Sequence, residues 1–266
     1  MFQSDELIYI QMQKSASSHI ASLLPHFFDG QQMGKHNSAS TEQIASHPYF
    51  VSSIRNPWDW YLSLWTFGVK GLGGFRSRLI KGPSLRRILK NPSISHYLEL
   101  KRRAALFRKL YEDNKNVESF RTWLKLIHHP ETNYLFKEGH QAISSVCGPM
   151  TFRYLNLCCQ NMQDIISLQA ISNFNDLVQF DKDNCYIEFF IRQESLEDDF
   201  CKAIEKVRAM TQQEKDMVYG AKKTNTSKRS LTISDYYDDE CIDLVEKRDQ
   251  FLIEKFGYSF PSALIH

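Results

Sequence analysis

Short apolar runs alternate with amphipathic stretches along this 266-residue chain. The runs over Leu7–Met12, Phe50–Ile54 and Tyr186–Arg192 are rich in aliphatic and aromatic side chains, which is typical of buried strands. Apolar residues at helical spacing follow each of them. Because strands alternate with helices, this pattern predicts an α/β fold with a mostly parallel sheet.

The predicted helices carry recognisable signals at their ends. Pro25 is expected to kink or shorten the helix over His19–Phe28. Asn56 fits an N-cap with Pro57 at the first helical position, and a strongly aromatic helix follows to about Val69. Residues 131–160 are predicted to be irregular. The other predicted helices cover Thr41–Ala45, Leu98–Tyr111, Val117–His128, Ser195 to about Met210, and Ser234–Phe256 with Gly257 as its C-cap.

Composition and charge indicate an ordinary globular protein, which we interpret as one domain over residues 1–266. Hydrophobic residues make up 42% and charged residues 24%, and the net charge is only +2. No global attraction to polyanions is therefore expected, so nucleic acid is not a predicted partner and any anion site must be local. No apolar run reaches 18 residues, so we predict no stable membrane insertion and a cytoplasmic location.

The cysteines show no spacing that is typical of a metal site or a redox motif. We expect reduced, mostly buried thiols, and we assign no redox role to the neighbouring pair Cys158 and Cys159. No metal is expected. The six positions are Cys147, Cys158, Cys159, Cys185, Cys201 and Cys241.

Two polar turns stand out because each follows a predicted strand and opens a helix. The first begins with Lys14 and continues through small hydroxyl residues, and the second contains Arg55. A helix N-terminus offers unpaired N–H groups and the positive end of a dipole, which suits an anion. The first turn is not a Walker A loop, because its lysine comes first and no glycine follows. Together the turns suit a ligand with two separated anionic groups.

The pair of turns resembles the sulfotransferases that use 3′-phosphoadenosine 5′-phosphosulfate (PAPS). In that family a strand–loop–helix of the form P-K-T-[AG]-[ST]-[ST]-S binds the 5′-phosphosulfate. A second strand ending in R-[ND]-P, with a serine eight residues after the arginine, binds the 3′-phosphate. The matching residues here are 14–18 and Arg55-Asn56-Pro57 with Ser63, while Gln13, Ser15 and His19 depart from the usual proline, threonine and serine.

The resemblance extends to later segments. Residues 187–200 are similar to the family's late strand and the helix start after it, and residues 223–229 resemble its C-terminal cofactor-closing loop. The resemblance implies a three-layer fold like that of P-loop NTPases, with a central mostly parallel sheet flanked by helices. Nucleotide-binding elements are then expected at 7–28, 50–69 and 222–230. Acceptor-side insertions are expected at about 70–160, where the match is loose.

The resemblance also implies residue roles. Lys14 would neutralise the leaving oxygen, and His36 would be the general base that also contacts the acceptor. Glu42 is the alternative base, and His26, His128, His129 and His140 are weaker candidates. Acceptor contacts are expected from Arg153 and Tyr154. The implied cofactor-binding residues are Lys14, Ser15, Ala16, Ser17, Ser18, Arg55, Ser63, Ser227 and Arg229.

The expected function is therefore transfer of a sulfuryl group from PAPS to a hydroxyl, with 3′-phosphoadenosine 5′-phosphate (PAP) as product and no metal. The acceptor is expected to be a carbohydrate in a bacterial cytoplasmic enzyme. A peptide tyrosine, a small-molecule alcohol, a nucleotide kinase and a catalytically silent nucleotide-binding module remain as alternatives. The basic loop at 76–87 suits either an acidic glycan or solubility, and the oligomeric state stays open.

Overall fold

The computed structural model describes residues 1–46, 49–81, 94–130, 132, 139–163, 171–222 and 231–261. Five short strands in this part of the chain form one sheet in the order β3-β1-β2-β4-β5. The predicted strands are present as β2, β4 and β5. The strand bounds are β1 Phe2–Ser4, β2 Ile8–Ile10, β3 Gly30–Gln32, β4 Phe50–Ile54 and β5 Phe189–Arg192.

The sheet is mixed, so the prediction of a mostly parallel sheet is wrong although the α/β class is confirmed. Strands β2, β4 and β5 run parallel, whereas β1 is antiparallel to both β2 and β3. Only a tight turn separates β1 from β2, in which the Ser4 amide donates to the Leu7 carbonyl (3.0 Å). Such a turn permits antiparallel pairing alone, because parallel neighbours need a long crossover.

Helices supply most of the remaining structure. None of those in the described part of the chain has the length and apolar character needed to cross a bilayer. The helix bounds are α1 Ser17–Leu23, α2 Thr41–Ser46, α3 Pro57–Val69, α4 Gly74–Ile80, α5 Ile94–Leu110, α6 Val117–His128, α7 His140–Ile143, α8 Pro149–Cys158, α9 Phe174–Asn184, α10 Leu196–Glu205, α11 Gln212–Gly220, α12 Ile233–Tyr236, α13 Asp239–Arg248 and α14 Gln250–Phe256.

Several helix ends follow the predicted local chemistry. The Asn56 side chain accepts a hydrogen bond from the Trp58 amide, and Pro57 occupies the first position of α3. A 3₁₀ turn containing Pro25 ends α1 early, because proline cannot donate the next helical hydrogen bond. Gly257 closes α14 in the left-handed conformation, with φ +62°.

Two helical predictions are wrong. Residues 131–160 are not irregular throughout, because α7 and α8 form there and Pro149 opens α8. The predicted final helix is divided into α12, α13 and α14. The first break lies where Asp238 caps α13 by accepting from the Cys241 amide (2.9 Å). The second lies at Asp249, whose side chain turns into the core.

The sheet is covered by apolar side chains on both faces. Successive residues of β2 and β4 enter different clusters: Ile8 and Phe50 join the larger one, whereas Tyr9 and Val51 join the smaller one. This alternation follows from the two-residue period of a strand. The aromatic residues of α3 lie in the larger cluster, so most of that helix is core. Its buried rings are Trp58, Trp60, Tyr61 and Trp65.

A buried carboxylate joins α3, α8 and α13. Asp249 has no exposed surface and accepts from the Tyr61 hydroxyl (2.5 Å) and from the amide and hydroxyl of Thr151 (2.8 and 2.7 Å). Burial raises the pKa of Asp249, and these hydrogen bonds oppose that rise. A buried polar group without a hydrogen-bond partner lowers stability. The hydrogen bonds between Tyr61, Thr151 and Asp249 therefore depend on the Asp249 carboxylate.

We expect Asp249→Ala to lower the free energy of unfolding by about 3 kcal/mol, because it leaves the buried amide and hydroxyl of Thr151 without an acceptor and breaks the hydrogen bond from Tyr61. Urea denaturation measures the change. Asp243→Ala is the matched control, since Asp243 is exposed on α13, which ends directly before Asp249, and its loss should cost no more than about 0.5 kcal/mol. Equal losses in the two variants would contradict the described network.

Candidate functional site

Three parallel strands end at one edge of the sheet, and the predicted anion-binding turns follow two of them. Strand β2 leads to Lys14, β4 leads to Arg55, and β5 leads to Gln193. The third turn is joined to the second, because Glu194 Oε1 accepts from the Asn56 amide (2.6 Å). In open α/β sheets, the crevice beyond the carboxyl ends of the strands is the usual position of a ligand.

Two non-glycine residues of the first turn have a left-handed backbone conformation. Lys14 has φ +63° and Ala16 has φ +58°, a region that non-glycine residues seldom occupy. The Ala16 carbonyl accepts from the amides of His19 and Ile20 (2.9 and 3.1 Å), so the turn passes directly into α1. Strained backbone of this kind occurs preferentially at functional sites.

The hydroxyl residues of this turn have different positions. Ser15 is buried, where it donates to the Met12 carbonyl (2.9 Å) and contacts Ser53 Oγ (2.7 Å). It therefore holds the turn against β4 and does not line the cleft. Ser17 and Ser18 do line the cleft, together with Lys14 and Ala16. The structure thus brings four of the five predicted residues of this turn to one surface.

The second turn contacts the first directly. The Arg55 guanidinium donates through Nη1 to the Lys14 carbonyl (3.1 Å) and through Nε to Asp59 Oδ2 (2.8 Å). Trp60, one turn along α3, donates through its indole N–H to the Gln13 carbonyl (2.6 Å). Two carbonyls of the first turn are therefore held by the second.

Both turns open on one cleft of about 800 Å³. Lys14, Arg55 and Ser63 line it, as does His36 from the segment after β3. Among its lining residues within the described part of the chain, seven are lysine or arginine and none is acidic. The basic ones are Lys14, Lys35, Arg55, Lys70, Arg76, Arg78 and Arg153. In a chain with a net charge of +2, this is a strong local concentration of positive charge.

The Lys14 side chain lies against an aromatic ring of α3. Its Nζ is 3.8 Å from the centroid of the Phe67 ring, within the range of a cation–π interaction. Phe67 also lines the cleft. The contact places the ammonium group on the wall of the cleft.

His36 has the geometry of a neutral base. Its Nδ1 lies 2.8 Å from the Gln11 carbonyl, which can only accept, so Nδ1 carries the proton and Nε2 keeps its lone pair. Partial burial lowers the pKa of His36, and the positive charges of Lys35 and Arg153 lower it further, against the opposing effect of the hydrogen bond. The His36 imidazole therefore stays neutral to a lower pH than an unperturbed histidine does.

The two predicted acceptor contacts lie in different environments. Arg153 of α8 lines the cleft. Tyr154 is fully buried in the core, and its hydroxyl donates to Asp181 Oδ1 (2.6 Å). The expectation that Tyr154 contacts the acceptor is therefore not supported, because consecutive helical residues point in different directions and only one of this pair can face the cleft.

The other candidate bases do not reach this cleft. His128 and His140 are buried in the core, and burial lowers the pKa of His128 to about 3. Glu42, His26 and His129 are not among the residues that line the cleft. Ser227 and Arg229 lie outside the described residues, as does the part of the basic loop after Lys81.

Four cations of the cleft were not singled out as site residues. Lys35 directly precedes His36, Lys70 follows α3, and Arg76 and Arg78 lie on α4. The basic character of residues 76–87 was the available signal, but a solvated surface produces the same pattern. His19 lies buried on the first turn of α1 and also borders the cleft.

Comparison with known proteins gives no relative for this chain. No protein-family model matches it. No significant match is found among curated proteins or among solved structures. The residues of the cleft therefore provide the evidence for function.

The left-handed turn can be tested by glycine substitution. We expect Ala16→Gly to leave the free energy of unfolding unchanged or to raise it by up to about 1 kcal/mol, because relief of left-handed strain offsets the greater freedom of the unfolded chain. Ala21→Gly, within α1, is the control and should lose about 1 kcal/mol. A similar loss in both variants, measured by urea denaturation, would show that Ala16 is not strained.

Proposed function

We propose that this protein is a sulfotransferase that moves the sulfuryl group of PAPS to a hydroxyl of an acceptor, most suitably a carbohydrate. One observation carries the proposal: the Lys14 turn and the Arg55 turn, which match the two phosphate-binding motifs of that family, open on the same basic cleft. PAPS has two separated anionic groups, and a volume of about 800 Å³ lies within the range of small-molecule sites.

In this proposal the two turns divide the nucleotide between them. Lys14, Ser17 and Ser18 hold the 5′-phosphosulfate at the start of α1, with the backbone of Ala16. Arg55 and Ser63 hold the 3′-phosphate, since a guanidinium matches phosphate oxygens in a bidentate manner. Ser15 supports the turn from behind through Ser53 rather than binding the nucleotide.

The proposed reaction is an in-line displacement at sulfur. The acceptor oxygen forms a bond to sulfur while the bond between sulfur and the bridging phosphate oxygen breaks, and PAP leaves. His36 Nε2 accepts the proton of the attacking hydroxyl, for which its neutral state is suited. Lys14 stabilises the negative charge that develops on the leaving oxygen. The protein's part is therefore orientation and electrostatic stabilisation.

The remaining cations of the cleft suit the binding of a hydroxyl-rich acceptor that also carries negative charge. Arg153 borders the cleft close enough to His36 to lower the pKa of that group. Arg76 and Arg78 add donors from α4. Glycans with acidic groups fit such a wall well, whereas a peptide tyrosine or a small-molecule alcohol would use less of it.

A nucleotide kinase fits the cleft less well. Kinases hold Mg²⁺ through carboxylates beside the transferred phosphate. None of the described residues that line this cleft carries a carboxylate. Asp59, the nearest acid on α3, is already paired with Arg55.

The direct test is transfer from PAPS labelled in its sulfuryl group to a panel of glycans, tyrosine peptides and phenols, in the presence of EDTA. We expect Lys14→Ala to lower kcat by about 10²- to 10³-fold, because it removes charge stabilisation of the leaving oxygen. Arg55→Ala should weaken PAP binding at least about tenfold, as expected for a lost charged hydrogen bond. Lys206→Ala, an exposed lysine outside the cleft, should change neither.

Three results would contradict the proposal or its site assignment. Strict dependence on ATP and Mg²⁺ would indicate a kinase. Binding of PAP by the wild-type protein without transfer to any acceptor would indicate a silent nucleotide-binding module. Normal turnover by Lys14→Ala at saturating PAPS would show that the site is assigned wrongly.

The proposed base has a distinct pH signature. Since the pKa of His36 is lowered in the free protein, kcat/KM should fall only at a pH more acidic than the pKa of about 6.5 of an unperturbed histidine. His36→Asn should lower kcat by about 10²- to 10⁴-fold and remove this acid limb. The exposed His26→Asn is the control. PAP affinity measured over the same pH range separates base catalysis from binding, and an unchanged acid limb in His36→Asn would reject the assignment.

A further inference from the structure

A second cavity lies away from the basic cleft, between α9 and α14. Its volume is about 560 Å³, and Asp181, Cys185 and Lys255 line it. The proposed function makes no use of it. Cys185 is partly exposed there, whereas the nearby Cys159 is only 3% exposed.

Cys159 and Cys185 face each other across a short antiparallel bridge. Each follows the end of a helix and has an extended backbone, Cys159 after α8 and Cys185 after α9. The flanking residues make the backbone hydrogen bonds: the Gln160 amide donates to the Asn184 carbonyl (3.0 Å), and the Tyr186 amide donates to the Cys158 carbonyl (3.1 Å). The cysteines therefore form a non-hydrogen-bonded pair.

This pairing has the geometry that a disulfide requires. In a non-hydrogen-bonded antiparallel pair, the Cα atoms lie about 4.5 Å apart and both side chains stand on the same face. Disulfides span Cα separations of about 4.4 to 6.8 Å. A bond between these two sulfurs therefore needs no large movement of the backbone.

The surroundings make the two thiols unequal. A hydrogen bond from the Cys159 thiol lowers the pKa of Cys185, while the same hydrogen bond and burial raise the pKa of Cys159. Asp181 Oδ1 lies 3.8 Å from Cys159 Sγ, which adds to that difference, and the Tyr154 hydroxyl lies 3.3 Å from Cys185 Sγ. The exposed thiol is thus the one that ionises more readily.

We propose that Cys159 and Cys185 form a redox-active dithiol, in which Cys185 reacts with a peroxide and Cys159 resolves the product. The Cys185 thiolate attacks one oxygen of hydrogen peroxide, the O–O bond breaks, and a sulfenic acid and water form after protonation. Cys159 then attacks that sulfur and displaces the hydroxyl group as water. Two thiols are oxidised to one disulfide, and one peroxide is reduced to two waters.

A metal site is the main competing use of these groups. The sulfurs of Cys159 and Cys185 and a carboxylate oxygen of Asp181 lie within 4.8 Å of one another, which a soft divalent ion could use. The Lys255 ammonium forms an ion pair with Asp181, however, and so already neutralises the carboxylate that the ion would need. That contact favours the dithiol.

The neighbouring Cys158 provides the matched control. It is buried, and its thiol donates to Ser52 Oγ of β4 (3.7 Å) rather than pointing into the second cavity. Because Cys158 is adjacent to Cys159 in the chain, it is the nearest alternative partner for a disulfide. A serine at 158 should therefore leave the chemistry of the pair intact.

The test treats the full-length reduced protein with one equivalent of hydrogen peroxide, blocks free thiols and maps the peptides without reduction. We expect one linkage between Cys159 and Cys185 with loss of two hydrogens, reversed by dithiothreitol. Cys185 should react at least tenfold faster than Cys147 or Cys201. Cys159→Ser should accumulate a dimedone-reactive sulfenic acid at Cys185, whereas Cys185→Ser should form none at Cys159. Cys158→Ser should keep the linkage.

The proposal is overturned if the wild-type linkage joins Cys158 to either neighbour, or if all six thiols oxidise at similar rates. Uptake of one Zn²⁺ through both thiols, with no linkage formed after chelation, would assign a metal site instead. The wild-type map decides the question even if a variant fails to fold. The same oxidation in urea should abolish the preference for this pair, which ties the reaction to the fold. None of these outcomes depends on sulfuryl transfer.

Discussion

The parallel pairing of β2 with β4 is the constraint on which the site depends. Its register sets Ile8 opposite Phe50 and Ile10 opposite Ser52, so the two strands end side by side. Lys14 and Arg55 are 41 positions apart in sequence, yet the Arg55 guanidinium reaches the Lys14 carbonyl. Loss of this register would separate the turns and leave two unrelated helix starts.

Concentrating positive charge in one cleft is costly, because like charges repel one another before any ligand is bound. The fold reduces this cost locally. Asp59 accepts from Arg55, and the Phe67 ring lies beneath the Lys14 ammonium group. Neither contact removes the charge from the cleft, so both groups remain suited to an anion. Repulsion that a ligand relieves is a source of binding free energy.

Local signals predicted much of this structure. Asn56 and Pro57 defined the start of α3, and the apolar runs identified three of the five strands. The strands β1 and β3 escaped detection because they have few apolar side chains: β1 has only Phe2, and β3 consists of one glycine and two glutamines. The buried position of Ser15 and the different environments of Arg153 and Tyr154 depend on packing between distant segments, which spacing in a sequence does not encode.

One strand fixes both proposed catalytic groups. Strand β2 leads into the turn that holds Lys14, and the Gln11 carbonyl at its end holds the His36 ring. The helices that supply the other wall, α4 and α8, are joined to the sheet through separate parts of the chain. Residues of that wall can therefore change during evolution without altering the separation of Lys14 and His36. Under the proposed function, such an arrangement would let one reaction be adapted to new acceptors by substitutions on a single side of the cleft.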